Sequence, residues 1–446
     1  MTKATCRVVT AAKRRSLREI IAAELPGGPF RHIMIKPNWV LHQTNAHFPI
    51  AALVTSTRLI EETIEACLER YPTVREITVG DAPMQTCEFD LMSRQSGLAE
   101  IVARYQDQHR GVRIRFLDLR RERFRARNGF QMRGDCRDGD PRGYREVVLD
   151  GRSYLEEISR EANSFRVSDY DPAQTACSHG PGAHRYLIAG SVLDADLFIN
   201  MPKAKTHQKA GITGALKNLV GIVGEKAYLV HYRAGTPQDG GDEFAPDTPG
   251  LVRLQVRCRE RLQKKSVWGF CAGRVVWQVL KRLRGIQTEG KPANLAKTFF
   301  RAGGAWPGND TIWRMIYDLN KIILYAPKEG GRLAATPRRS YLAIVDGLVA
   351  GEGDGPLQPL PVESDTLVVA SDPFLADCVM ARWMGFDYRR IPQLAHRARF
   401  ADAEFGNFDP ATVLVRWDER LVQGLGSLPA PLSFRPAPGW EGIREG

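Results

Sequence analysis

The feature that most constrains this chain is a set of short apolar runs, each closed at once by a polar loop bearing Gly or Pro. The runs are His32–Ile35, Glu76–Val79, Asp196–Ile199, Tyr341–Val345 and Thr366–Val369. Apolar runs without alternation predict strands buried on both faces, which is the pattern of a parallel sheet covered by helices. The closing loops are Lys36-Pro37-Asn38, Gly80-Asp81-Ala82-Pro83, Met201-Pro202-Lys203, Asp346-Gly347 and Ser371-Asp372-Pro373. Between the first two runs, Leu59, Ile60, Ile64, Cys67 and Leu68 recur at helical spacing, with Thr55 or Ser56 as the cap. A βαβ crossover follows. A second helix is predicted over 373–384, with Pro373 in its first turn, where the missing N–H costs little. The expected fold class is therefore α/β: a mainly parallel sheet with flanking helices and an inserted helical region. Such sheets bind ligands beyond the carboxyl ends of their strands, where all five loops are expected to converge.

Three units are expected. Residues 1–234 form an α/β domain carrying the Lys/His motif described below, 235–335 a loop and basic helical insertion, and 336–446 a segment that completes the sheet. The loop is marked by the Gly, Pro and Asp content of 235–250, and Trp313 to Asn320 reads as helix. A chain of 446 residues, 43% hydrophobic, has material for a large core. Its eight cysteines include no C-x-x-C pair, so reduced thiols are expected and no iron–sulfur cluster. The formal net charge of +12 favours anionic partners. The basic stretch from Arg110 to Arg133 reads as a solvated insertion, and nucleic acid is not expected as a partner, because no recognisable nucleic-acid module accompanies it. With no secretory signal or membrane span, a cytoplasmic location is expected. In 264–284, Trp268, Phe270 and Trp277 are hemmed by Lys and Arg. That composition suits peripheral contact with an anionic membrane at its inner face, and equally suits aromatics packed on the core while the cations stay wet.

The densest chemistry lies in 200–217, Asn-Met-Pro-Lys-Ala-Lys-Thr-His-Gln-Lys-Ala-Gly-Ile-Thr-Gly-Ala-Leu-Lys. A strand ends at Asn200 and a helix is predicted over 215–223. Lys217 falls near the first turn, where free N–H groups favour an anion and an amine is expected to lose basicity. Such a lysine can supply charge, move a proton or form an adduct. His207 precedes it by ten residues and His231 follows by fourteen, so Lys217, His207 and His231 are the catalytic candidates. Lys36, Asn38, Lys203, Lys205, Thr213, Gly214 and Asn218 are the candidates for substrate binding, Gly214 because a glycine entering a helix beside a basic loop suggests close approach of backbone to ligand. Asp81, Asp354 and His231 are the metal candidates. The loop 351–356, Gly-Glu-Gly-Asp-Gly-Pro, suits a cation or sugar hydroxyls, or is a plain acidic turn. Cys177, His179 and His184 are compact but fit no zinc spacing, and His42 and His47 read as exposed imidazoles near the first loop.

The run Lys-Ala-Lys-Thr-His-Gln-Lys-Ala-Gly-Ile-Thr-Gly-Ala-Leu-Lys-Asn-Leu-Val-Gly closely resembles the signature of the family known as domain of unknown function 362. Lys36-Pro37-Asn38, Gly80-Asp81, Asp318-Leu319-Asn320 and 351–356 resemble its landmarks in the same order, from about Ile33 to Gly385. Some relatives carry a ferredoxin-like cluster whose cysteines this chain lacks. A more distant local resemblance, over 196–231, is to the nickel-pincer lactate racemase family. It implies a catalytic histidine at His207, a cofactor-tethering lysine at Lys217 and a metal-binding histidine at His231. Where that family has Asp-x-Thr-Arg-Pro, this chain has Lys36-Pro37-Asn38. The expected activity is metal- or Lys/His-assisted proton transfer, isomerase- or racemase-like, on a small anionic or sugar-like substrate. The cofactor is open between none, a divalent metal and the nickel-pincer group. The rival class is a noncatalytic basic protein that binds nucleic acid or an anionic membrane surface.

Overall fold

The computed structural model describes residues 6–10, 16–105, 109, 111–127, 130–168, 170, 172–250, 252–254, 256–257, 303–400, 405–429 and 432–445. The aromatic and basic segment 264–284 lies outside them. An α/β architecture is built on one large sheet, in the order Arg420–Gln423, Leu414–Trp417, Cys6–Thr10, Gln358–Ala370, Ser340–Asp354, Leu197–Met201, His32–Pro37, Glu76–Asp81 and Arg113–Asp118. From Ser340–Asp354 to Arg113–Asp118 every pairing is parallel, with Ile199 between Ile35 and Leu342.

The apolar runs lack alternation because both faces are covered. Ile33, Ile35, Leu197, Ile199, Leu342 and Ile344 point into one core with Leu59, Ile60 and Ile64 of the helix Thr57–Arg70. Met34, Phe198, Ala343 and Val345 point into the other. That second core is closed by the helices Ile312–Tyr325 and Pro373–Trp383. Each large side chain so buried contributes about 1.5–3 kcal/mol. The helix Ile312–Tyr325 is buried along its whole length, so this part of the region expected as an insertion belongs to the central core.

Two expectations are corrected. Tyr341–Val345 and Thr366–Val369 are antiparallel neighbours, with Ile344 opposite Val369 and Val345 opposite Val368. The first strand does not stop at Asp346-Gly347 but runs, with a local irregularity, to Asp354 and turns back at Gln358. So short a connection permits only antiparallel pairing, whereas burial on both faces writes the same apolar run in either direction. Ser371-Asp372-Pro373 consequently follows a residue, Ala370, that lies beside Ala343, and the chain there runs back toward the amino-terminal ends of the parallel strands, away from the remaining loops. Those loops gather around the hairpin arm. The strand Lys203–His207 pairs along that arm and continues the line of Leu197–Met201. Residues Glu122–Arg127 and Phe130–Cys136 form a separate antiparallel ribbon within the basic stretch. Among the described residues, no helix is long and apolar enough to cross a membrane.

Candidate functional site

At the carboxyl end of its strand, Lys36 is fully buried, and its Nζ lies 2.8 Å from Asp81 Oδ1. The same ammonium donates to Pro37 O at 2.7 Å and Asn218 Oδ1 at 3.2 Å. Asp81 Oδ2 accepts from Trp39 N at 2.6 Å. Burial lowers the Lys36 pKa, and Asp81 opposes that fall. The pair sits against Gly221, where an added Cβ would collide with Asp81 and come within 2.7 Å of Lys36 Nζ. Lys36 is thus an internal cation with its own counter-ion. The same holds for Lys203, whose Nζ meets Asp346 Oδ2 at 2.8 Å in a fully buried pair that also receives Ser56 N. Neither lines the cavity described next.

Asparagines join the loops. Asn218 Nδ2 donates to Asn200 Oδ1 at 2.8 Å, and Asn38 Nδ2 donates to Asn218 Oδ1 at 2.9 Å. Asn200 Nδ2 in turn donates to Ala215 O and to Tyr341 Oη, at 2.7 and 2.8 Å. Strand end, first loop and the short helix Gly214–Asn218 are thereby held in one network. The start of that helix is not open to a ligand: Asp377 accepts from Ala215 N at 2.5 Å and Leu216 N at 3.0 Å. Gly214 has φ +60° and a Cβ there would strike the Asp377 carboxylate, so the close approach inferred from the sequence is to the chain's own side chain. Burial raises the Asp377 pKa to about 7, against its two backbone hydrogen bonds.

Beside this network lies a cavity of about 340 Å³. Its polar lining includes Lys205, Lys209, Lys217 and Lys226, His207 and His231, and Asn38, Asp81, Thr213 and Asn218; Val40, Pro83, Met84, Val167, Leu229, Ile312 and Leu357 supply apolar wall. Lys205 Nζ donates to Leu53 O at 2.6 Å, and Lys226 Nζ to Val220 O at 2.9 Å and Val223 O at 3.3 Å. Lys209 Nζ donates to Ser168 Oγ at 2.9 Å and lies 5.2 Å from the centre of the Tyr232 ring. Burial, then Lys209, Lys226 and Lys36, lower the Lys217 pKa to about 7. Lys226 also falls to about 7 through burial, with Asp81 opposing and Lys36 assisting. Lys205 is held well below its ordinary value by burial and then Lys203 and Lys217. Burial keeps both histidines neutral, reinforced first by Lys217 at His207 and by Lys209 at His231. His207 Nδ1 accepts from Lys209 N at 3.0 Å, so the neutral ring carries its proton on Nε2.

Buried polar atoms are normally paired, yet several that belong to the lining have no hydrogen-bond partner among the described residues. They are Asn38 Oδ1, Thr213 Oγ1, His231 Nε2 and both ends of the Gln85 amide.

Of the sequence candidates, Lys217, His207, His231, Asn38, Lys205, Thr213, Asn218 and Asp81 therefore meet in the lining, while Lys36, Lys203 and Gly214 support it from behind. Asp354 is exposed near the tip of the hairpin and does not line the cavity, so Asp81, Asp354 and His231 do not form one metal site. Among the described residues no group of three or more His, Cys, Asp or Glu is placed to hold a metal ion. His179 and His184 face each other, Nδ1 to Nδ1 at 3.3 Å, and are satisfied by Tyr228 O and Glu156, while Cys177 is exposed. His42 Nδ1 accepts from Glu88 N. Sequence reasoning missed Lys226, Gly221 and Asp377. The available signals were a lysine shortly after an apolar turn, a glycine within that turn, and one acid in the otherwise apolar start of a helix.

A family model described as domain of unknown function (DUF362) matches residues 151–382. No curated protein matches the chain. A structural-genomics target from Thermotoga maritima is similar at 10% identity with a TM-score of 0.34, over 80% of this chain and 55% of that one. The lactate racemase apoprotein from Thermoanaerobacterium thermosaccharolyticum is similar at 10% identity with a TM-score of 0.31, over 85% of this chain and 57% of that one. This chain thus spans little more than half the length of either structure, and likeness of this strength does not transfer a function.

Proposed function

The chain belongs to the family described as domain of unknown function (DUF362), and with no activity supplied by that description we propose, from the cavity itself, an enzyme that moves a proton on a small anionic substrate. The observation that carries this reading is Lys217. Its amine enters a cavity, donates no hydrogen bond to any described residue, and is poised at about 7 by burial and neighbouring cations. An amine so poised is divided between base and acid at neutral pH, the condition that best serves proton transfer. Lys217 would take the proton from the substrate, and His207, neutral with its proton on Nε2, would donate a hydrogen bond to the oxygen where charge develops. The other lysines would hold the anion, and the apolar wall would strengthen these interactions by excluding water.

A second reading is favoured by the orphaned His231 Nε2, which shares the lining with the Lys217 amine, itself without an acceptor among the described residues. These groups fit the nickel-pincer group implied by the local sequence resemblance: Lys217 would tether it and His231 would bind the metal. When bound, that group supplies a hydride acceptor. Intact-mass measurement and elemental analysis of purified protein separate the readings, since an adduct on Lys217 accompanied by nickel belongs only to the second.

The first reading is tested by incubating the protein in heavy water with a panel of small hydroxy acids, keto acids and sugar phosphates, and following carbon-bound hydrogen by NMR. Exchange into at least one compound is expected, reduced by about 10²-fold or more in Lys217→Ala and in His207→Ala, with circular dichroism unchanged. Exchange unaffected by Lys217→Ala would sink it. Salt-sensitive binding to unrelated polyanions, also indifferent to that substitution, would instead favour a noncatalytic basic protein.

A further inference from the structure

The cavity cations are of one kind. Lysine is the scarcer basic residue of the chain, 15 against 48 arginines, yet four lysines and no arginine line the cavity. Arg120, whose charge reaches Lys226, is spent on Asp118 in a buried ion pair at 2.6 Å. The difference between the two residues is physical: a guanidinium stays charged wherever it is placed, whereas a buried lysine gives up its proton and recovers it when a counter-charge arrives.

Counter-charge is what the cavity lacks. Its one lining carboxylate, Asp81, is already paired with Lys36. Among the described residues Lys205, Lys217 and Lys226 have no carboxylate within ion-pair distance, and the hydrogen bonds of Lys205 and Lys226 go to backbone carbonyls. Taking an ammonium ion out of water costs several kcal/mol unless an opposite charge lies beside it. Resting on the anionic-substrate reading above, we propose that this cavity binds a compact dianion, a phosphomonoester in chemical class, whose phosphate is held by Lys205 and Lys226.

Lysine binds phosphate as a compact point charge, whereas the planar fork of arginine serves where carboxylate or phosphate is gripped bidentately. The orphaned Thr213 Oγ1 and Gln85 Nε2 add neutral donors to the same lining. A proton balance follows. The groups around these amines are Lys36, Lys203, Lys209 and Arg120 on the positive side, Asp81 and Asp118 on the negative, and the neutral His207 and His231. In the free protein Lys217 and Lys226 each stand at about 7. A phosphate dianion beside Lys226 raises its value, so binding near pH 8 takes up protons from the buffer.

The test is isothermal titration calorimetry of the full chain at pH 8 with inorganic phosphate, succinate and acetate as probes, in two buffers of different ionisation enthalpy. Phosphate is expected to bind at least about tenfold more tightly than either carboxylate, with about one proton taken up per site. Lys205→Met and Lys226→Met should each weaken phosphate about tenfold or more while folding normally, because replacing an unpaired buried cation by an apolar side chain of similar length is neutral or stabilising. Thermal melts check that point. Equal affinity for acetate, tighter binding of succinate, phosphate binding without proton uptake, or phosphate affinity unchanged in both variants would each overturn the proposal. Its failure is distinct from that of the catalytic reading: phosphate bound with proton uptake but no hydrogen exchange removes only the chemistry, and exchange on a monocarboxylate without phosphate binding removes only the dianion.

Discussion

Replacing Lys217 by methionine should make the protein more stable and inactive. The unfolded chain holds the Lys217 proton up to its ordinary 10.5, while the folded chain releases it at about 7. Between those values the unfolded state binds more protons, so stability rises with pH across the window, and the penalty is complete below about 7. The gap corresponds to about 5 kcal/mol. The amine is only partly buried and opens on a cavity, so water reduces this to about 2–3 kcal/mol. Urea unfolding of wild type and Lys217→Met at pH 6, 8 and 10 measures it. The variant should lead by about 2–3 kcal/mol at pH 6, and the lead should shrink steadily toward pH 10. Hydrogen exchange into substrate should fall by about 10²-fold or more at every pH. A variant less stable than wild type at pH 6, or a lead that does not change with pH, would refute the claim that burial holds this amine near neutrality.

Asp377 titrates in the opposite sense. Its folded pKa, about 7, stands above the ordinary 3.8, so the folded state binds more protons and stability falls as pH rises between the two. Asp377→Asn should flatten that fall by about 4 kcal/mol, read from urea midpoints at pH 4 and pH 8. Gly221→Ala should cost about 2–3 kcal/mol by driving a methyl into the Lys36–Asp81 pair, and a thermal melt no lower than wild type would contradict it. Lys203→Met leaves Asp346 buried without its cation and should cost about 3–5 kcal/mol. Urea unfolding of the same variant measures that cost.

Much of this was legible because the sheet writes itself plainly. Runs such as Ile33 to Ile35 and Phe198 to Ile199 are apolar on consecutive positions only when helices cover both faces, and their ends locate the loops. Direction was not legible. Thr366–Val369 carries the same apolar signature whether it runs with or against Tyr341–Val345, and the hairpin that decides the matter lies outside both runs. The Lys/His motif marked the cavity because polar residues at a strand end are poorly explained by packing. Which lysines serve as internal ions could not be read, since the partners of Lys36 and Lys203, Asp81 and Asp346, lie far away in the chain. Gly214 shows the same limit: its need for a bare Cα was visible, but the carboxylate that imposes it comes from a helix more than 150 residues later.

The hairpin arm also bears on the chain's synthesis. Lys203 finds Asp346 143 residues downstream, so at roughly 5–20 residues per second the strand Lys203–His207 waits about 7–30 s for the arm it will pair with. During that wait it is an exposed strand with unpaired backbone groups, the kind of edge on which nascent chains associate. Its alternate residues Lys203, Lys205 and His207 are polar, and in water the two lysines are fully charged. Side chains that are costly once enclosed are, on the ribosome, what keeps this strand soluble until its partner arrives.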